Sequence, residues 1–204
     1  MDMGLERLSN AITDMANLAE ESVVKAIQAY ASGEGIRDQA YNRANQLSLL
    51  ASEVEDLAVE LLARYQPVAT DLRFITSCFE IAYGFSRLGR YAYDIAQVLT
   101  LYGDLSDCDK TVLEDLSDKV VNMIKTSIRS FNSRDAKLAR SLRDADDEVD
   151  KTYLQHMKAL AESKSISLKC AVASTLVLRY LERIADHACY IGDSVIYITT
   201  GGKT

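Results

Sequence analysis

The chain has 204 residues, of which 48% are hydrophobic and 26% charged, with a formal net charge of −7 at pH 7 and a pI near 4.9. This composition is ordinary for a folded globular protein and argues against a disordered chain. The acidic balance argues against a dominant electrostatic interaction with nucleic acid or anionic lipid, because either would require a basic surface.

Helix formers dominate the chain, which contains one proline, nine glycines and no tryptophan. With so few chain breakers, the composition predicts an all-α protein. Glycine, proline and short polar clusters divide the sequence into six long segments, each predicted to be a helix. These segments are 4–31, 36–65, 69–102, 109–131, 134–162 and 166–199.

The sequence predicts neither a membrane span nor a signal peptide. The longest apolar stretch, 168–178, is interrupted by Lys169 and Ser174 and is about half the roughly 20 residues that a spanning helix needs. The first 20 residues are polar and amphipathic, unlike a secretory signal. We therefore expect a cytoplasmic protein. The cysteines lie far apart, without a CxxC pair, and are predicted to be buried free thiols; they are Cys78, Cys108, Cys170 and Cys189.

The third and sixth segments resemble each other. YGFSRLGRYAYDIAQVL, from Tyr83, matches RYLERIADHACYIGDSV, from Arg179, with an offset of 96 residues. We interpret the chain as an internal duplication of a three-helix unit. The predicted halves are residues 1–104 and 105–204, joined by the turn at 103–109.

The fifth segment carries an acidic cluster in RDADDEVDKTY, residues 143–153. Aligning its Val149 with Leu47 of the second segment pairs Asp147 with Asn45 and Asp150 with Ser48. The corresponding part of the first half is therefore neutral at these two positions.

The sixth segment has an apolar stripe with alternating steps of four and three residues, which is typical of a helix facing a bundle core. The stripe consists of Val177, Leu181, Ile184, Ala188, Ile191, Val195 and Ile198. To one side of it, Glu182, Asp186 and Asp193 fall on nearly one line. In the first half the offset places Ser86 and Arg90 where Glu182 and Asp186 stand.

These carboxylates suggest a metal site. Carboxylate oxygens are hard ligands, and two neighbouring helices that each carry acidic residues one turn apart can surround a divalent or iron ion. The alternative is a solvated surface on which the acids pair with Arg179, Arg183 and Lys151, at a few tenths of a kcal/mol per pair. The first half lacks the counterparts of all four carboxylates of Asp147, Asp150, Glu182 and Asp186, and this joint absence weakens that alternative.

No catalytic arrangement is evident. Both histidines lie in helical segments, and there is no nucleophile elbow. His187 is interpreted as a residue beside the acidic line or at the surface.

ARYQPVATDLRF, residues 63–74, resembles the QQPVASDLR signature of the PhoU family of phosphate-uptake regulators. RYLERIADHACYIGDSVIYITTG, from Arg179, resembles the family's second signature, and DADDEVDKTY its acidic second helix. The resemblance implies two three-helix bundles with metal clusters held by ExxxD motifs and by the acidic preceding helix. It places metal ligands at Asp147, Asp150, Glu182 and Asp186, with Asp193 as an outer ligand. Because Ser86 and Arg90 replace the first ExxxD pair, we expect one metal site, in the second half.

The resemblance also implies a cytoplasmic regulator of phosphate transport, and not an enzyme, whose partner is a phosphate ABC transporter ATPase or a membrane-associated sensor. A homodimer is expected if leftover apolar helix faces pair. Thr70 and Asp71 either cap the third helix or contact a partner. The alternatives are a metal-buffering protein, a regulator of another ion transporter, and a purely structural dimeric bundle.

Overall fold

Six long helices account for the regular structure of the chain in a computed structural model that describes residues 1–163 and 165–202. Each helix coincides with one predicted segment, and the predicted and observed boundaries differ by at most two residues. The helices are α1 (Asp2–Ser32), α2 (Arg37–Tyr65), α3 (Ala69–Tyr102), α4 (Thr111–Ser133), α5 (Ala136–Glu162) and α6 (Leu168–Thr200). The all-α prediction is confirmed.

Three helices end at glycines with positive φ. Gly33 has φ of 80°, Gly103 of 68° and Gly201 of 73°. Residues with a Cβ rarely adopt this backbone region, so glycine stops a helix there at little cost. Pro67, which lies between α2 and α3, cannot donate a backbone hydrogen bond to continue α2.

Two helices in the second half begin with a side-chain cap. The Asp135 carboxylate accepts hydrogen bonds from the backbone amides of Lys137 (2.8 Å) and Leu138 (3.0 Å) at the start of α5. The Ser167 hydroxyl accepts one from Cys170 N at the start of α6, at 3.2 Å. Both contacts satisfy amides that have no partner inside the helix.

The predicted cap of α3 is only partly correct. Asp71 lies in the first turn, where its charge complements the positive helix end. Thr70 does not cap the helix: the N-cap residue is Val68, and the Thr70 hydroxyl accepts a hydrogen bond from Arg73 Nη2 at 3.0 Å. Capping was a wrong prediction for Thr70 because the helix begins one residue before it.

The helices form two three-helix bundles, α1 to α3 and α4 to α6, as predicted. α3 packs along α6 and α1 packs against α4, so the bundles are joined side by side. One continuous hydrophobic core runs through both halves, with Phe74 of α3 stacked 6.2 Å from Phe131 of α4. A division into domains at 1–104 and 105–204 stays a prediction.

The apolar stripe of α6 is buried along its full predicted length. Its seven members are at most 3% exposed. The period of four and three residues therefore identified the face of α6 that meets the other helices.

No helix in the described ranges is long and apolar enough to cross a membrane. The apolar stretch at the start of α6 packs through Ala173, Val177 and Leu178 into the protein core.

The prediction of four free thiols is wrong for two of them. Cys108, in the loop after α3, forms a disulfide with Cys170 in the first turn of α6, 62 residues further along the chain. The sequence offered no short cysteine pair, and only the packing of the 103–110 loop against α6 brings the two Cα atoms to 5.4 Å. Cys78 and Cys189 are free and buried, as predicted.

Candidate metal centre

Where α5 packs on α6, acidic residues of the two helices lie close enough for their charges to interact. On α5, Val149 is fully buried, which shows that its face of the helix points toward the core. Asp146 and Asp150 stand three residues before and one residue after it. On α6, Glu182 and Asp186 are one turn apart beside the buried stripe. We refer to Asp146, Asp150, Glu182 and Asp186 as the carboxylate cluster.

Burial and like charge both act on this cluster. The pKa of Asp146 is raised to about 7, first by burial and then by the charges of Asp186, Asp150, Glu182 and Asp147. The pKa values of Glu182 and Asp186 are also raised, in each case first by burial. Carboxylates that repel one another in a partly dry site disfavour ionisation, and a cation would relieve that repulsion.

Arginines of α6 provide part of the compensating charge. Arg179 forms an ion pair with Glu182 Oε1. Arg183 Nη1 lies 3.2 Å from Asp186 Oδ2, and its Nε lies 3.8 Å from Glu182 Oε2. The predicted pairing with Arg179 and Arg183 is therefore present, but Lys151 forms no ion pair within 4.0 Å to any described residue.

Two cluster oxygens are buried without a hydrogen-bond donor: Oδ1 of Asp146 and Oε2 of Glu182. A buried acceptor without a donor costs free energy comparable to a lost hydrogen bond. The ion pair of Arg183 with Glu182 Oε2 is too long to be a hydrogen bond. The arginines therefore leave the innermost oxygens of the cluster unsatisfied.

The predicted ligands occupy different environments. Glu182 is 8% exposed and Asp186 half-buried, so both are less exposed than a solvated surface requires. Asp147 and Asp150 are exposed on α5. Asp193 is engaged by Arg143, whose Nη2 and Nε lie 2.9 and 3.2 Å from Asp193 Oδ1.

Sequence reasoning missed Asp146 as a member of the cluster. It selected Asp147 and Asp150, three residues apart, whereas Asp146 and Asp150 share the spacing of four that relates Glu182 to Asp186. Placing Asp146 required the orientation of α5, which the fully buried Val149 fixes.

In residues 1–163 and 165–202, no three His, Cys, Asp or Glu side chains are arranged to hold a metal ion. The arginines hold Glu182 and Asp186 in an ion-paired arrangement. A cation could use the cluster only if Arg179 and Arg183 turned away from it. Both are partly exposed, at 38% and 43% of the side chain, so they have room to do so.

The first half differs at the corresponding positions. Arg90, which replaces an acid of the second half, pairs with Asp94 at 3.3 Å. Ala44 stands opposite Asp146 in the repeat alignment. A guanidinium on this helix would repel a cation.

Comparison with known proteins shows that both halves match the same family model. The family model described as the PhoU domain matches residues 12–99 and again 113–195. A protein of Pseudomonas putida named "Phosphate-specific transport system accessory protein PhoU homolog" is 30% identical over 97% of this chain and 79% of its own length. A Methanothermobacter thermautotrophicus protein, named as homolog 1 of the same accessory protein, is 29% identical over 97% of this chain and 94% of its own.

Two crystal structures share the fold. PhoU from Pseudomonas aeruginosa superposes with a TM-score of 0.90 at 27% identity, covering 98% of this chain and 99% of that one. The phosphate transport system regulatory protein PhoU from Streptococcus pneumoniae superposes with a TM-score of 0.92 at 23% identity, covering 100% and 98%.

Proposed function

The chain belongs to the PhoU family, and from this premise we propose that it is a cytoplasmic accessory regulator of phosphate transport. The observation that carries the proposal is the match of both halves, in order, to the PhoU domain. It is supported by relatives that cover 97% of the chain and are named accessory proteins of phosphate-specific transport systems. Long helices that leave one face exposed are suited to docking against a partner protein.

The proposed partner is the ATPase of a phosphate ABC transporter or a membrane-associated sensor of phosphate. The test is affinity purification of the tagged chain from its own cells, grown at high and at low phosphate. We expect the ATPase or the sensor to co-purify, with an amount that changes with phosphate supply. If neither the ATPase nor the sensor co-purifies at high phosphate or at low phosphate, the proposal is contradicted. Dependence on another transported ion would favour a regulator of that ion.

A homodimer is a further part of the proposal. Tyr65, Val68 and Leu72, at the turn between α2 and α3, are exposed by 48%, 75% and 39%. Such apolar side chains favour self-association when they lie together on a surface. Light scattering of the purified chain would show a dimer or a monomer.

We also propose that the carboxylate cluster binds a divalent or iron ion in the regulator. Asp146, Asp150, Glu182 and Asp186 would hold it, with Asp147 at the exposed edge and Asp193 outside it on Arg143. Oxygen-only donor sets suit hard cations, and the two unsatisfied oxygens of Asp146 and Glu182 support the fit. A bound cation would supply the positive charge that now comes only from the arginines.

The chain's own residues explain why cation binding would matter to a partner. With the cluster neutralised, Arg179 and Arg183 lose their carboxylate partners and become free to project from α6. The exposed charge of this face then changes from paired to basic. A face whose charge depends on occupancy can favour one partner over another.

Metal content per chain, measured by plasma mass spectrometry, tests this part. We expect metal in the purified protein and its loss in Glu182→Gln with Asp186→Asn. The matched control is Glu53→Gln with Asp56→Asn, which removes the same two charges from the exposed face of α2. Equal metal in both double variants would contradict the site, and a metal load that follows metal supply alone would favour buffering over regulation.

A further inference from the structure

A second potential binding site lies in a cleft between α3 and α6, outside the carboxylate cluster. Its volume is about 490 Å³, which is within the range of small-molecule sites. Charged and aromatic side chains dominate its lining: Glu80, Tyr83 and Arg87 from α3, and Arg183, His187 and Tyr190 from α6.

Arg87 is the distinctive residue of this cleft. It is the repeat counterpart of Arg183, 96 residues earlier in the chain. Arg183 pairs with Asp186, but Ser86 and Arg90 replace the acidic positions of α6 in the first half. In the described part of the chain, Arg87 consequently has no carboxylate within 4.0 Å.

The guanidinium of Arg87 is held in place but is incompletely satisfied. Its Nη2 donates a hydrogen bond to the Tyr91 hydroxyl at 2.8 Å, and its Cζ lies 4.8 Å from the Tyr91 ring centre. Its Nε is buried and has no acceptor. A guanidinium that is fixed by Tyr91 and lines the cleft is suited to bind a carboxylate or phosphate.

The remaining wall of the cleft is aromatic. The His187 ring lies 5.9 Å from Tyr83, 5.8 Å from Tyr91 and 5.7 Å from Tyr190, between ring centres. Tyr83 and Tyr190 are 54% and 59% exposed and offer free ring surface at the cleft.

The two kinds of side chain are suited to one class of ligand. Exposed aromatic rings stack on nucleobases with little sequence preference, and arginine forks bind phosphate oxygens. Glu80, exposed at the rim, can accept hydrogen bonds from the hydroxyl or amino groups of a nucleoside.

We propose that the α3–α6 cleft binds a nucleoside monophosphate. Arg87 and Arg183 hold the phosphate, Tyr83 and Tyr190 contact the base, and Glu80 accepts from the ribose or the base. This goes beyond the proposed regulatory function and requires neither the transporter nor a metal ion. Its failure would therefore leave the regulatory proposal standing.

Isothermal titration calorimetry of the full-length, chelator-treated protein with adenosine monophosphate tests the proposal. We expect saturable binding at one site per chain, weakened about tenfold or more in Arg87→Gln, because a charge-assisted contact is lost. The matched control is Arg90→Gln, one turn along α3 and outside the cleft, which should bind as the unmodified chain does. Absence of saturable binding, or equal loss in both variants, would overturn the proposal.

Two further probes separate the parts of the ligand. Inorganic phosphate and adenosine should each bind at least about tenfold more weakly than adenosine monophosphate, because each makes part of the contacts. Tyr190→Ala should weaken adenosine monophosphate but not inorganic phosphate. Phosphate binding as tight as that of the nucleotide would overturn the nucleotide assignment. Circular dichroism checks the fold of Arg87→Gln, and if it unfolds, the exposed Tyr190→Ala decides the outcome.

Discussion

The matching stretches of α3 and α6, residues 83–99 and 179–195, share a helical framework and differ in charge. In α6, Glu182 and Asp186 both form ion pairs with Arg183. In α3, Ser86 and Arg90 occupy these places, and the equivalent Arg87 turns to Tyr91 instead. The two helices thus differ at two positions, which carry acids in α6 and leave Arg87 of α3 without a carboxylate partner.

The buried positions of the same stretches did not diverge in this way. Leu88 corresponds to Ile184 and Ala92 to Ala188, and all four are at most 1% exposed. Buried positions are constrained by volume and packing, whereas half-exposed positions can exchange charge with little effect on the fold. The comparison explains how one duplicated framework can carry two different sites.

The largest expected effect comes from the Cys108–Cys170 disulfide, which ties the start of α6 to the loop before α4. Reducing Cys108–Cys170, or making Cys170→Ser, should lower the free energy of unfolding by about 4 kcal/mol, because a closed loop of this length restricts the unfolded chain. Urea unfolding with and without dithiothreitol measures it.

Cys108→Ser and the double variant serve as controls for this link. Each should be as stable as Cys170→Ser, and none should respond to dithiothreitol. A double variant clearly less stable than either single variant would contradict the disulfide as the cause.

The next largest effect is expected at two glycines where helices pack closely, one in each half. A Cβ on Gly192 would lie 2.6 Å from Leu142 Cδ1 and 3.2 Å from the carbonyl oxygen of Ala139. Gly192→Ala should therefore cost about 2 kcal/mol, because the backbone of α5 must shift. Gly89→Ala meets only the side chain of Leu47 and should cost less than half as much. Thermal unfolding measures both, and equal costs would contradict this explanation.

A smaller effect should appear in the pH dependence of stability. The folded protein holds a proton on Asp146 more tightly than the unfolded chain does, because the pKa rises from 3.8 to about 7. Stability should therefore be greatest below about pH 4 for this group and fall as pH rises to 7, by about 1–2 kcal/mol after solvent screening.

Asp146→Asn tests this sign. Urea unfolding between pH 4 and 8, in the presence of a chelator, should give a flatter profile than the unmodified chain. Asp56→Asn, on the exposed face of α2, is the matched control. An unchanged slope in Asp146→Asn would show that a raised pKa of Asp146 does not cause the pH dependence.

The smallest effect is expected for the exposed ion pairs. Arg143→Ala removes the contact with Asp193 and should change the melting temperature by less than about 2 °C. Arg90→Ala should cost more, because its partner Asp94 is only 16% exposed and burial already raises the pKa of that carboxyl. Calorimetric melting of both variants checks the order, and a larger effect for Arg143→Ala would reverse it.

Much of the fold could be predicted from local signals. The six segments and the buried face of α6 follow from breakers and from apolar periodicity, because a helix must satisfy its own backbone and bury one stripe. Part of the carboxylate cluster could be predicted. Glu182 and Asp186 stood out because the repeat comparison places Ser86 and Arg90 at their positions in the first half. Asp146 was missed because spacing alone does not fix how α5 is rotated against α6.

The sequence by itself determined the helices, the duplication and the charge difference between the halves, since these depend on residues close together in the chain or related by a fixed offset. The tertiary structure decided which distant groups meet. It joined Cys108 to Cys170, enclosed Glu182 beside Asp146, and placed Arg87 across from His187 in the α3–α6 cleft. These contacts depend on helix rotation and packing, which are set by the whole core and by no single segment.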